Sequence, residues 1–279
     1  MKILFTGSKG QLGKELLKLY RDQNITGVDI DEMDITDAEQ TVNFITEFNP
    51  DIVIHAAAMT DVDGCEKNEG AAYKVNALGT RNVALACQKA NSEMLYVSTD
   101  FVFDGNKDEN YNEFDIPSPL SIYGKSKLEG EKLVKELLNK FYIVRTAWLY
   151  GDGHNFVKTM LSLAENNDSL SIVNDQQGTP TYAKDLAIAI SKIIDSGLYG
   201  NYHASNNGSC SWYDFAKKIF EIKGIDIEVN PTTAEEFGNL AERPAYSVMD
   251  NFALESQDIH KMRDWEEALK EYLVGENDV

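Results

Sequence analysis

Tyr123 and Lys127 stand four residues apart in the polar stretch SIYGKSKLEGEKL, residues 121–133. On a helix this spacing puts a phenol and an ammonium on one face. An unperturbed phenol titrates near ~10 and is a sluggish proton donor at neutral pH. A neighbouring ammonium favours the phenolate and lowers that value, so the pair reads as a tuned acid. The plainer reading of the same spacing is a solvated surface helix. Reduction of a carbonyl needs one more group, a hydroxyl that positions the oxygen receiving charge. Ser98 and Thr99 close an apolar run, and by residue type either fits.

A second constellation lies at the start of the chain. Residues 6–13 are TGSKGQLG, with glycines at 7, 10 and 13. Gly7 suits a tight turn, Gly10 lets a pyrophosphate approach the backbone, and Gly13 lets a helix pack closely on a strand. Gln11 and Leu12 open the helix, whose N-terminal N–H groups suit phosphate. At the start of an alternating strand and helix pattern, these residues read as a dinucleotide site. Asp29, ending the second strand, favours a free ribose 2′-hydroxyl and hence NADH. Lys9, inside the glycine turn, suits a 2′-phosphate and hence NADPH, so both cofactors stay open. Asp34 and Ile35 in MDITD fall near the adenine, Asp34 having a helix cap as its structural alternative. Ala56, Ala57 and Ala58 end the third strand, where small side chains let a cofactor lie close. His55 before them reads as a core residue.

The elements that must position these groups alternate. Strands are predicted over residues 2–6, 25–30, 51–58, 93–100 and 141–151, and helices over 11–22, 37–47, 69–90 and from Tyr123 onward. A polar loop fills 104–120. This is the pattern of an α/β fold, a Rossmann-type doubly wound parallel sheet. Residues 1–150 form the expected NAD(P)-binding domain. Beyond 151 the texture becomes loop-rich, and 151–279 reads as a smaller, mainly substrate-binding domain. Segments near 175–205 return to the sheet, so the two are expected to interleave. SCSWYDFA, residues 209–216, reads as a helix start capped by Ser211, with Trp212 and Phe215 packing. GENDV at the end reads as a frayed tail.

Forty-six acidic against twenty-six basic side chains give a net charge of −20. That argues against nucleic acid or an anionic membrane surface as partner. An anionic substrate needs a local basic pocket. No run of ~18 apolar residues suggests a membrane span. Cys65, Cys87 and Cys210 are few, odd in number and outside metal-site spacing, as expected of reduced thiols in a cytoplasmic protein.

TGSKGQLG, HAAA, VSTDFVFDG, YGKSKLEGE, VRTAWLYG, NFVKTM, DQQGTPTY and ERPAYS together resemble the extended short-chain dehydrogenase/reductase superfamily. Within it they resemble the dTDP-4-dehydrorhamnose reductase family, over residues 1 to about 250. The resemblance implies NAD(P)H-dependent reduction of the C4 ketone of dTDP-4-dehydro-6-deoxy-L-mannose to dTDP-L-rhamnose. It matches Thr99 to the catalytic hydroxyl, Tyr123 to the proton donor and Lys127 to its partner, which also holds the nicotinamide ribose. It places Met59, Thr60, Val62 and Asp63 on a cofactor- and substrate-facing loop. Trp148, Asn155, Phe156 and Gln177 fall on the sugar-nucleotide side. Arg243 meets the diphosphate, with Lys158 as competitor.

The sequence departs from the family at Met59, where a ring is usual, and at Phe101, where tyrosine is usual. Some members hold a magnesium ion between subunits through glutamates. Glu15 is the candidate here, but a solvated helix residue is the plainer reading and no metal is assigned. The resemblance leaves a monomer or a homodimer open. A dehydratase is disfavoured because Asp100 is followed by Phe101 and not glutamate. The remaining alternatives are another nucleotide-sugar 4-ketoreductase, an epimerase, or a non-catalytic NAD(P)-binding regulatory subunit.

Overall fold

Three short apolar runs build the centre of the molecule. Ile3, Leu4 and Phe5, then Ile52, Val53 and Ile54, then Met94, Leu95 and Tyr96 are fully buried. Continuous burial along a strand means that both faces are covered, as in a parallel sheet between helices. A computed structural model describes residues 1–275 and shows this sheet. Its strands are β1 (Lys2–Thr6), β2 (Asn24–Val28), β3 (Ile52–His55), β4 (Glu93–Thr99), β5 (Phe141–Thr146) and a later strand, β10 (Gly200–His203). Their order is β10-β5-β4-β3-β1-β2, with every pairing parallel. The order reverses between β1 and β3, and ligands of open α/β sheets bind at the carboxyl ends beside such a point.

One face is covered by α1 (Gln11–Leu19) and α8 (Ala183–Ser196), through Leu12, Leu16, Leu186 and Ile190. The other is covered by α2 (Ala38–Phe48), α5 (Thr80–Ala90) and α6 (Ile122–Leu137), through Ile45, Val83, Cys87 and Val134. Between β3 and α5 run the short helices α3 (Val62–Lys67) and α4 (Glu69–Tyr73). The predicted helix over 69–90 is thus interrupted. Lys74–Gly79 is a π-turn, and the buried Asn76 lies within it. Its side chain accepts from the Met59 N–H at 2.8 Å and donates to the Met59 carbonyl and the Ser126 hydroxyl, each at 3.0 Å. The widened turn holds that side chain between the β3 loop and α6.

The predicted strand over 141–151 also breaks. It leaves the sheet after Thr146, because Trp148 adopts φ 45°. The chain resumes as β6 (Leu149–Tyr150), which pairs with β9 (Thr181–Tyr182). Downstream, α7 (Phe156–Ala164), β7 (Ser169–Val173), α9 (Trp212–Lys223), β12 (Glu228–Thr232) and α12 (Trp265–Gly275) enclose their own core around Val157, Phe215, Ile219 and Leu269. Here β8 (Gln177–Gly178) pairs with β11 (Cys210–Ser211). The short α10 (Ala234–Phe237) and α11 (Phe252–Ser256) complete the fold. The 104–120 loop is tied down by Glu113, which accepts from His203 N at 2.9 Å and Ala253 N at 3.0 Å. The expected fray of GENDV lies, past Gly275, outside the described residues. The three cysteines are buried thiols.

Candidate active site

Ser121 caps α6 by accepting from the Gly124 N–H at 3.2 Å, which fixes where the helix starts. Tyr123 and Lys127 then fall on the face turned to the end of β4. The Lys127 ammonium donates to the Val97 carbonyl at 2.8 Å and lies 4.2 Å from the Tyr96 ring centroid. One turn on, Glu131 accepts a hydrogen bond from the Ser98 hydroxyl at 2.6 Å and from Arg145 at 2.7 and 2.9 Å. Ser98 is therefore occupied within this buried network. Thr99, the last residue of β4, is the hydroxyl in contact with the Tyr123 phenol.

The electrostatics differ from those expected of the pair. Burial pushes the Tyr123 phenol up; the contact with Thr99 opposes this, and the charge of Asp100 adds to it. Lys127 is not among the groups that set it. Its own pKa is pushed down to about 7 by burial, against the attraction of Glu131. The lysine's ammonium is turned to the Val97 carbonyl, and burial dominates the phenol's upward shift. Asp100 is pushed up to about 6 by burial. His55 is a core residue, hydrogen-bonded to Thr6 at 2.7 Å and Thr80 at 3.1 Å and pushed down to about 3 by burial.

These groups open onto one cavity of about 840 Å³. Its floor is the glycine turn with Gly7, Gly10, Gln11, Leu12 and Gly13. Gly7 has φ 81°, and a Cβ there would meet Ala57 N at 2.9 Å; one on Gly13 would meet Ser8 O at 2.5 Å. Only glycine fits at either position. Asp29, Asp34 and Ile35 line one end, and Ala56, Ala57 and Ala58 the wall. Asp34 does not cap α2, a role taken by Asp37; it accepts from Thr36 N at 2.8 Å. Asp29 accepts from the Lys9 and Ile30 backbone N–H groups, both at 2.9 Å, while the Lys9 ammonium pairs with Asp31.

Toward the other end the cavity is lined by Thr60, Val62, Trp148, Asn155 and Arg243. Arg243 stands 3.6 Å from Asp63, and its Nε is buried with no hydrogen-bond partner among the described residues. Lys158 lies 3.8 Å from Asp152. Three expected contacts are outside the lining. Asp63 sits behind Arg243 and accepts from Ala241 N at 3.0 Å. Phe156 packs at 4.6 Å on Trp212. Gln177 exchanges backbone hydrogen bonds with the 245–247 segment, at 2.7 and 2.8 Å. Glu15 is buried, not solvated as its helix position suggested, and is paired with Lys18 at 2.7 Å.

Sequence reasoning missed Trp212 and Asp100, both in the lining. Trp212 stacks on Trp148 at 3.4 Å between centroids with 8° between planes. Its position just after a helix cap signalled packing and gave no hint of a cavity. Asp100 follows Thr99 directly, and that adjacency was the available signal.

A parallel doubly wound sheet, a glycine turn on its first strand and a threonine, tyrosine and lysine at the end of the fourth define the extended short-chain dehydrogenase/reductase class. The model of the RmlD substrate binding domain matches residues 1–277. The chain belongs to that family. It is 43% identical to the spore coat polysaccharide biosynthesis protein SpsK of Bacillus subtilis over 98% of this chain and 96% of that one. A dTDP-4-dehydrorhamnose reductase from Clostridium acetobutylicum superposes with TM-score 0.98 at 49% identity, covering 99% of this chain and all of the other. The dTDP-4-dehydrorhamnose reductase of Bacillus anthracis, solved in complex with NADP, gives 0.96 at 46% identity, covering 99% and 100%.

Proposed function

We propose that this chain reduces the C4 ketone of dTDP-4-dehydro-6-deoxy-L-mannose to dTDP-L-rhamnose, with NADPH as the preferred donor. The observation that carries this is the single cavity shared by the glycine turn, the Thr99, Tyr123 and Lys127 set, and Arg243. The residues fit a dinucleotide: the turn has no room for side chains at Gly7 and Gly13, and the alanines after β3 keep the wall low. The NADP complex of the Bacillus anthracis relative and the Lys9 ammonium at the cavity mouth support the choice of NADPH. When bound, the reduced nicotinamide supplies the hydride.

The chain's own groups do the rest. Gly7 to Gly13 and the start of α1 receive the pyrophosphate. Lys127 exchanges its contact with Val97 for the nicotinamide ribose. Thr99 holds the ketone oxygen. Tyr123 gives its proton to that oxygen as hydride reaches C4, and the phenolate then takes up a proton from solvent, which resets the site. Trp148 and Asn155 flank the sugar, and Arg243, whose Nε has no hydrogen-bond partner among the described residues, meets a diphosphate oxygen.

The test is optical oxidation of NADPH and of NADH with the keto-sugar generated in situ. One equivalent consumed per ketone, with NADPH the better donor, is the expected result. Tyr123→Phe should reduce kcat by about 100-fold or more while leaving cofactor binding near wild type. Cofactor binding without turnover would turn the reading to a regulatory subunit.

A further inference from the structure

Thr99 has a single proton, and its heavy-atom neighbours decide where that proton can go. A hydroxyl offers one donor and two acceptor positions. The Phe101 N–H occupies one acceptor position at 3.2 Å. The proton lies along the 3.0 Å contact to Asp100 Oδ1. An ionised carboxylate only accepts, so with Asp100 charged the Thr99 proton is committed away from the cavity. The same contact serves the opposite direction once the carboxyl carries a proton. Asp100 then donates, Thr99 accepts with its second lone pair, and the threonine proton is released toward the cavity, where the Tyr123 phenol and a substrate oxygen lie.

Burial favours the neutral acid. Asp100 is 2% exposed, and its Oδ2 is buried with no hydrogen-bond partner among the described residues. The groups that face it are the Thr99 and Ser247 side chains and the backbone N–H groups of Asp100 and Phe101, all of which favour the charged form against the effect of burial, and the Tyr123 phenol of α6; none is cationic. An ionised carboxylate so placed is costly. We infer that Asp100 is a positioning residue that, in its neutral form, turns the Thr99 hydroxyl toward the ketone oxygen. Burial pushes its pKa up to about 6 already without ligands, so the neutral form is lost as pH rises above that value. A ketone in the cavity excludes more water and extends the neutral range upward. The inference rests on the reductase reading.

The experiment compares wild type with Asp100→Asn, whose amide donates at every pH. In wild type, kcat/KM should decline above a pKa at or above about 6. In Asp100→Asn that decline should be absent, with a plateau within about 10-fold of the wild-type maximum. Thr99→Val should cost about 100-fold or more, and adding Asp100→Asn to it should change nothing further. Infrared spectra of wild type with NADP and product should show a protonated carboxylic acid band that Asp100→Asn lacks. An unchanged decline in an active Asp100→Asn, or an ionised carboxylate in the complex, would overturn the inference alone. If wild type oxidises no cofactor with the keto-sugar, the reductase reading fails and takes the inference with it. Cofactor affinity reports whether the variant is folded, and the wild-type infrared band decides the matter if it is not.

Discussion

Lys127 is the residue whose environment differs most from what its type suggests. Fully enclosed between α6 and β4, it is pushed down to about 7 from 10.5. The folded chain therefore releases this proton at lower pH than the unfolded chain does. Below about pH 7 both states hold the proton and folding bears the burial of a charge. Between about 7 and 10.5 only the unfolded state holds it, so stability rises with pH across that window. The urea midpoint of cofactor-free wild type should climb through this range relative to Lys127→Met; parallel pH curves would refute the assignment. The spacing of Tyr123 and Lys127 was legible in the sequence, but the direction of the ammonium was not. It depends on the Val97 carbonyl, thirty residues away, lying across from it.

Elements decide which residues the cavity receives. The break after β5 puts Trp148 at φ 45° and stacks it on Trp212, the first residue of α9. The link between β5 and β6 and the start of α9 meet through this pair at the edge of the cavity. An aromatic pair contributes about 0.5–1.5 kcal/mol beyond its buried area, so Trp212→Ala should raise KM for the sugar nucleotide by about 3- to 10-fold and leave cofactor affinity unchanged. Steady-state kinetics with each ligand varied in turn checks this. Behind the site, α6 and β5 are joined by Glu131 and Arg145, both essentially inaccessible. Removing one partner strands the other charge, so Arg145→Ala should destabilise the protein by about 3–5 kcal/mol in urea unfolding. The periodic pattern of α6 gave its existence and start, through Ser121, yet gave no sign that Glu131 would point inward.

On the scale of the molecule, a net charge of −20 meets two anionic ligands. The basic side chains around the cavity do not stand alone: Lys9 faces Asp31, Lys14 faces Asp152 and Arg243 faces Asp63. The long-range field therefore stays negative, and ligands are held by short-range contacts. Raising ionic strength from about 0.01 to about 0.15 M shortens the screening length from about 30 to about 8 Å. The KM values for NADPH and for the sugar nucleotide should both fall over that range. A rise would mean that local attraction outweighs the overall repulsion.

The sequence by itself determined what is local. The apolar runs of β1, β3 and β4 must be buried on both faces, TGSKGQLG must leave room where it turns, and Tyr123 must share a helix face with Lys127. Each of these follows from neighbours within a few residues. The tertiary structure decided everything that depends on meeting across the chain. It gave Ser98 to Glu131 and left Thr99 beside the Tyr123 phenol, and kept Asp63, Phe156 and Gln177 out of the cavity lining while bringing in Trp212. It also surrounded Asp100 with neutral groups. Proton positions and side-chain orientations are set by partners distant in sequence, and periodicity and spacing carry no information about which partners those are.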